Sequence, residues 1–257
     1  MTSPISSRLE HDGAVLRLIL DRPKGNVLDA AMCDALHDAL VVLPDDGPLR
    51  CIVIEGAGRH FSFGASVQEH APGEVEAMLP RFHGLITALV RMPIPTVALI
   101  RGQCLGGGLE VAAACGVLLA EEGSKLGQPE IQLGVFAPAA SVLLPARIGQ
   151  ARAEHLLLTG ASITAEEAHA AGLVAQILPK GGAEEALQAW IAAHILPRSA
   201  PALRFAVRAA RGALIDAVEH RLPAVESLYL QGLMATTDAA EGIAAFLDRR
   251  PATWSHA

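Results

Sequence analysis

The chain has 257 residues, of which 51% are hydrophobic, 18% charged and 4% aromatic. That length carries a sizeable core, as one large domain or as a core with a small appendage. A formal net charge of −7 and the lack of a basic block argue against nucleic acid or an anionic membrane as the main partner.

Residues 1–10 hold no apolar signal core, and no uninterrupted apolar run reaches membrane-spanning length. Cys33, Cys51, Cys104 and Cys115 form neither a CxxC pair nor a zinc-like spacing. Reduced thiols in a cytoplasmic protein are the simplest expectation.

Residues 14–20 read as a strand ended by Asp21-Arg22-Pro23, with a polar loop at Lys24-Gly25-Asn26. Residues 29–42 have helical apolar spacing at Met32, Ala35, Leu36, Ala39 and Leu40. A turn at 44–48 precedes a second buried strand at 49–54, closed by Gly56-Ala57-Gly58. Small residues at Gly64, Ala65 and Ser66 suggest main chain brought close to something. Residues 72–80 read as a loop or short helix, and 81–91 as a helix stopped by Met92-Pro93-Ile94-Pro95.

The β-rich run 96–100 then leads into Gly106-Gly107-Gly108, where an apolar helix is expected to start. Glu110 falls in its first turn, among Leu, Val and Ala. A short strand at 116–120 follows, then a turn at 125–130 ending in a second isolated carboxylate, Glu130. Residues 131–145 are apolar, with Phe136, Pro138 and Ser141 as distinctive members. Residues 151–158 read as a helix ending at Gly160. Thr164-Ala165-Glu166-Glu167 has the form of a capping box opening a helix to Gly172. A last strand at 173–178 gives way to an all-helical pattern from Ala183, with breaks near Pro197, Gly212, Thr237 and Pro251. Strand and helix alternating, then helices alone, is the pattern of α/β units with a terminal helical region.

Two features carry chemistry. Bare N–H groups near Ala65 and Gly107, the latter at a helix N-terminus, could converge on one oxygen. Such a donor is worth about 3–4 kcal/mol to a forming oxyanion. Glu110 and Glu130 supply two carboxylates for proton transfer to and from water. The glycines also suit a plain strand-to-helix turn, Glu110 a helix-start carboxylate and Glu130 a surface turn. The chain has no GK[ST], no GxGxxG after a strand, no GxSxG and no HExxH. His60, His70 and His83 read as surface or supporting groups, Cys104 and Cys115 as small core residues, and Arg208, Arg211 and Arg221 as a solvated helix face.

Three segments resemble the crotonase, or enoyl-CoA hydratase/isomerase, superfamily. They are Phe61-Ser62-Phe63-Gly64-Ala65-Ser66, the run from Gly102 through Gly106-Gly107-Gly108-Leu109-Glu110, and Gly127-Gln128-Pro129-Glu130-Ile131-Gln132-Leu133-Gly134-Val135. The runs from Gln150 to Gly160 and from Glu167 to Val174 extend the likeness over nearly the whole chain.

The resemblance implies an α/β spiral of ββα units over 1–195 and a helical trimerisation region over 196–257, assembled as a homotrimer or a hexamer of two trimers. It implies an acyl-CoA thioester as partner, its carbonyl held by the Ala65 and Gly107 N–H groups, with Glu110 and Glu130 catalytic. Lys24, Val27, Ser66, Val67 and Gln68, with Ala65 and Gly107, are the implied substrate and CoA contacts. No metal and no redox cofactor is implied.

Two departures stand out. Ser66 replaces the usual Asp, and Phe136-Ala137-Pro138-Ala139-Ala140-Ser141 replaces a Gly-rich stretch. Both are similar to a branch acting on a cyclic dienoyl thioester, cyclohexa-1,5-diene-1-carbonyl-CoA. A straight-chain enoyl-CoA hydratase, an isomerase or hydrolase, and a non-catalytic binding member are the rival readings.

Overall fold

A computed structural model describes residues 3–44, 46–71 and 73–257. Met1, Thr2, Asp45 and Pro72 lie outside the described residues, and with them parts of the stretches read above at 1–10, 44–48 and 72–80.

The chain begins β1 (Ile5–Glu10), β2 (Val15–Leu20), α1 (Ala30–Val41), β3 (Cys51–Gly56), α2 (Val75–Arg91), β4 (Thr96–Ile100) and β5 (Gln103–Leu105). It continues α3 (Gly107–Ala114), β6 (Val117–Glu121), β7 (Lys125–Gly127), α4 (Pro138–Ile148), α5 (Gln150–Thr159), β8 (Ser162–Thr164), α6 (Ala165–Ala170) and β9 (Gln176–Leu178). It ends in α7 (Ala183–His194), α8 (Ala200–Ser227) and α9 (Thr237–Leu247).

The larger sheet has the order β1-β2-β3-β4-β6-β9 and the smaller one β5-β7-β8. Pairing in the larger sheet is parallel except between β1 and β2. Successive turns of chain lay one strand in each sheet and then a helix: β4, β5 and α3 make one turn, and β6 and β7 begin the next. The turn before them pairs more briefly, through bridges from Ser62 to Cys104 and from Leu28 to Ala65. The chain is therefore an α/β spiral of ββα units with a helical C-terminal region.

Continuous apolar sequence in β3 and β4 follows from burial on both faces. Ile52, Ile54, Ala98 and Ile100 face the main core, whereas Val53, Val97 and Leu99 pack on Leu187 and Ile191 of α7. On that second face Arg17 of β2 is fully buried, with Glu55 at 2.7 Å and Glu184 of α7 at 2.8 Å. The ion cluster fastens α7 to the sheet.

Four expectations are corrected. β1, absent from the sequence reading, is an edge strand with a mostly exposed face, so its apolar alternation is faint. Residues 75–80 belong to α2, which runs through Pro80. An interior proline costs about 3 kcal/mol. Burial of Val75, Met78, Leu79 and Phe82 returns roughly 1.5–3 kcal/mol each, so the helix continues. α8 likewise passes Gly212 unbroken. A helical glycine costs only about 1 kcal/mol, and the buried Arg204, Arg211, Val218 and Leu222 hold the helix down.

Arg211 is the fourth correction. It is buried, and donates to the Leu89 and Val90 carbonyls and to Thr96 Oγ1 at 2.8, 3.2 and 2.8 Å. It ties α8 to the end of α2 and the start of β4, while Arg208 and Arg221 stay exposed. Of the two readings of His83, surface or supporting group, burial leaves the second, with Nδ1 2.6 Å from Glu226.

Arg211→Ala should therefore lower unfolding free energy by about 1.5–3 kcal/mol, whereas Arg221→Ala should stay within about 0.5 kcal/mol. Urea denaturation of both variants checks this, and equal values would contradict the tether.

Candidate active site

The site begins where two glycine-bearing segments touch. Gly106 sits at φ +52, a conformation that favours glycine, and turns the chain into α3. A Cβ on Gly64, at φ +104, would lie 2.9 Å from the Leu105 carbonyl oxygen and 3.3 Å from the Gly107 nitrogen. A Cβ on Gly107 would lie 3.0 Å from the Ala65 nitrogen. The segments approach this closely because neither glycine has a side chain.

Local bonds hold the first segment in place. Ser62 Oγ donates to the Asn26 carbonyl at 2.8 Å and accepts from the Gly64 N–H at 3.0 Å. Asn26 is buried, and its carboxamide donates to the carbonyls of Ala57, His60 and Phe61. Leu28 brackets Ala65, donating its N–H to the Gly64 carbonyl and accepting at its own carbonyl from the Ser66 N–H. Among the described residues, neither the Ala65 N–H nor the Gly107 N–H donates to a protein acceptor.

Both amides border a cavity of about 550 Å³, also lined by Glu110 and Glu130. That volume suits a small organic ligand. Met78, Leu79 and Phe82 of α2 wall one side, Phe136, Ala137 and Pro138 another, and Phe246 and Arg250 close it from the C-terminal region.

Glu110, in the first turn of α3, is 4% exposed. Its Oε1 accepts from the Ala140 N–H at 2.7 Å, at the start of α4. The carboxylate thus caps a helix other than its own, where the helix dipole favours negative charge. Glu130 stands on a 3-10 turn, Pro129–Leu133. Its Oε1 lies 2.6 Å from where a Cβ on Gly106 would be, so the glycine turn also makes room for the acid. The carboxamide of buried Gln128 lies 3.0 and 3.1 Å from the two Glu130 oxygens, and hydrogen bonding assigns its nitrogen to that side.

Burial pushes both acids well above the ordinary carboxylate range. For Glu110 the N–H groups of Ala140 and Ala139 pull the other way. For Glu130 the Glu110 charge adds to the rise. Such a pair holds a proton near neutrality, leaving one group able to give a proton and one able to take it.

The structure therefore brings Ala65, Gly107, Glu110, Glu130 and Val67 to one cavity. Ser66 is buried beside it, Gln68 is exposed, and Lys24 and Val27 lie on the adjoining loop outside its walls. That loop is fixed to the site by the bond from Phe63 N to Gly25 O, 2.8 Å. His70 borders the cavity with Nδ1 2.7 Å from the Ser66 carbonyl oxygen, and His60 Nδ1 accepts from the Gln103 N–H. The sequence reading missed Gln128, the α2 wall and the C-terminal wall. The α2 wall was legible in the spacing of Met78, Leu79 and Phe82, had Pro80 not been taken as a boundary.

Residues 10–257 match the enoyl-CoA hydratase/isomerase family. The chain belongs to that family. This hydratase/isomerase family member is 50% identical over 255 residues to a cyclohexa-1,5-dienecarbonyl-CoA hydratase from Thauera aromatica, covering 99% of this chain and 98% of that protein. It is 35% identical to a 2,3-dehydroadipyl-CoA hydratase from Escherichia coli K12, covering 92% and 93% of the two chains. A crystal structure of an enoyl-CoA hydratase from Mycobacterium avium subsp. paratuberculosis K-10 superimposes with a TM-score of 0.87 at 27% identity, over 99% of this chain and 100% of that one. The architecture is the crotonase fold.

The raised acids carry a stability consequence with a definite sign. A carboxyl whose folded pKa is raised contributes stability at low pH that is lost as pH climbs from about 4.3 through the folded value. Glu130→Gln removes that loss. Its melting temperature relative to the unaltered protein should rise with pH between about 4 and 9. A difference that is constant or falls with pH would contradict the raised carboxyl.

Proposed function

We propose that the protein is a hydratase that adds water to cyclohexa-1,5-diene-1-carbonyl-CoA, giving 6-hydroxycyclohex-1-ene-1-carbonyl-CoA in the anaerobic breakdown of aromatic acyl-CoA esters. The 50% identity over nearly the full length to the Thauera aromatica enzyme carries the substrate assignment. The cavity, with two free amides beside two buried acids, supports the chemistry.

The thioester carbonyl points at the Ala65 and Gly107 N–H groups. Negative charge moving onto that oxygen meets two preorganised donors and the N-terminus of α3. Conjugation then leaves the carbon β to the thioester open to attack. Glu110, fixed by the Ala140 N–H, orients the water, and Glu130 is the main proton-transfer group. A C–O bond forms at the β-carbon, and the electron pair spreads through the ring as a dienolate. A proton enters at the far ring carbon, so the sum is a 1,4-addition of H and OH. Met78, Leu79, Phe82 and Phe136 supply apolar walls for the ring.

Lys24, Val27, Ser66, Val67 and Gln68 contact the CoA moiety, and the working assembly is a homotrimer or hexamer in the cytoplasm, with no metal or redox cofactor. Among the described residues no helix is long and apolar enough to cross a membrane.

Purified protein should hydrate the cyclic dienoyl-CoA with a higher kcat/KM than crotonyl-CoA. Glu110→Gln and Glu130→Gln should each lower turnover by a factor on the order of 10² or more. Chromatography of the product against the 6-hydroxy standard is the check. Preference for crotonyl-CoA would move the assignment to a straight-chain hydratase, and unaltered rates in both variants would remove the acids from the mechanism.

A further inference from the structure

One buried polar group near the acids has no role in the steps above. Tyr229 is the only tyrosine of the chain. It is 1% exposed, and its hydroxyl is buried without a hydrogen-bond partner among the described residues. It stands in a π-helical segment, Leu228–Gly232, between α8 and a following 3-10 turn. Such segments are rare and often sit at functional sites. Its ring packs edge-on against Phe136, with centroids 5.3 Å apart at 70°. Phe136 itself lines the cavity that holds the acids.

A phenol stripped of water and left unpaired is costly, so its placement calls for a reason. The charged groups around it narrow the choice. Glu226 of α8 is turned to His83. Asp238 and Glu241 of α9 are held at the surface by Ser255 and Arg250. The charges that bear on the phenol are Glu130 and Glu110, and with burial they hold its own ionisation far above neutral pH. The group therefore keeps its proton, buried and unpaired behind the Phe136 wall of the cavity that holds the two acids.

We infer that Tyr229 is a positioning residue of the acid pair, its phenol donating through one water to the Glu130 carboxylate. The inference rests on the proposed hydration and deepens it. Protonating a ring carbon remote from the one that takes water needs Glu130 held at a defined angle. Gln128 lies against its two oxygens, and a water held by Tyr229 would add a second donor. A donor to the ionised form also keeps the acid from rising further.

Two measurements test this. With tyrosine labelled at Cζ with carbon-13, the protein gives one side-chain tyrosine resonance. That resonance should titrate with the acid pair above the ordinary carboxylate range and lose most of that shift in Glu130→Gln, where Glu110 alone remains. A flat resonance in the unaltered protein overturns the inference. Tyr229→Phe keeps the ring and removes the donor. It should lower kcat on the cyclic dienoyl ester about 10-fold with KM within about twofold, and move the acid limb of the rate profile to higher pH by about half a unit or more. A spare hydroxyl would instead leave rate and profile unchanged while the melting temperature stayed level or rose, which overturns the inference. If the unaltered protein hydrates only crotonyl-CoA, the substrate assignment fails and the same comparison runs on that ester. If it hydrates neither, the functional proposal fails and the resonance alone decides the place of Tyr229.

Discussion

The site depends on one close approach, that of Gly64 and Ala65 to Gly106 and Gly107. Main chain packs on main chain there with no side chain between, and this leaves two amide hydrogens unspent beside a cavity. A helix begins at the same point, so the field of α3 adds to the pull of the amides. The rest of the spiral reads as support for that contact. The parallel sheet sets the level at which β4 and β5 deliver the glycine turn. The Asn26 and Ser62 bonds set the level of the facing segment. A side chain at Gly106 would reach Glu130 as well, so the same turn determines where the second acid can stand.

Electrostatics gives the arrangement its second property. Burying two carboxyls in one apolar cavity is unfavourable for both charges at once. The protein answers unequally, giving Glu110 the N-terminus of α4 and Glu130 a carboxamide. Unequal partners make the two acids inequivalent, which a stepwise addition of water requires. The same inequality is the basis for assigning orientation of water to Glu110 and proton transfer to Glu130.

Much of this was legible in the chain. Continuous apolar strands, the Thr164 capping box and the start of α3 at the triple glycine follow from local rules, and the structure has them. The segments holding Ala65, Gly107, Glu110 and Glu130 were legible through resemblance, and these four residues line one cavity. What stayed hidden depends on distant packing. Pro80 is a helix breaker by local rules, and only the buried face of α2 overrides it. Arg211 is indistinguishable by pattern from Arg208, yet carbonyls at the end of α2 claim it. The burial of Tyr229 against Phe136 and of Gln128 against Glu130 has no periodicity to announce it, because each depends on a partner placed by the fold.

The most direct measurement is a crystal structure with a stable acyl-CoA analogue of the cyclic dienoyl ester. The account predicts the thioester oxygen within hydrogen-bond distance of both the Ala65 and Gly107 nitrogens, and the ring between Phe136 and α2 with its β-carbon facing Glu110 and Glu130. A thioester oxygen turned away from those amides, or a ring bound outside the cavity of the two acids, would contradict it.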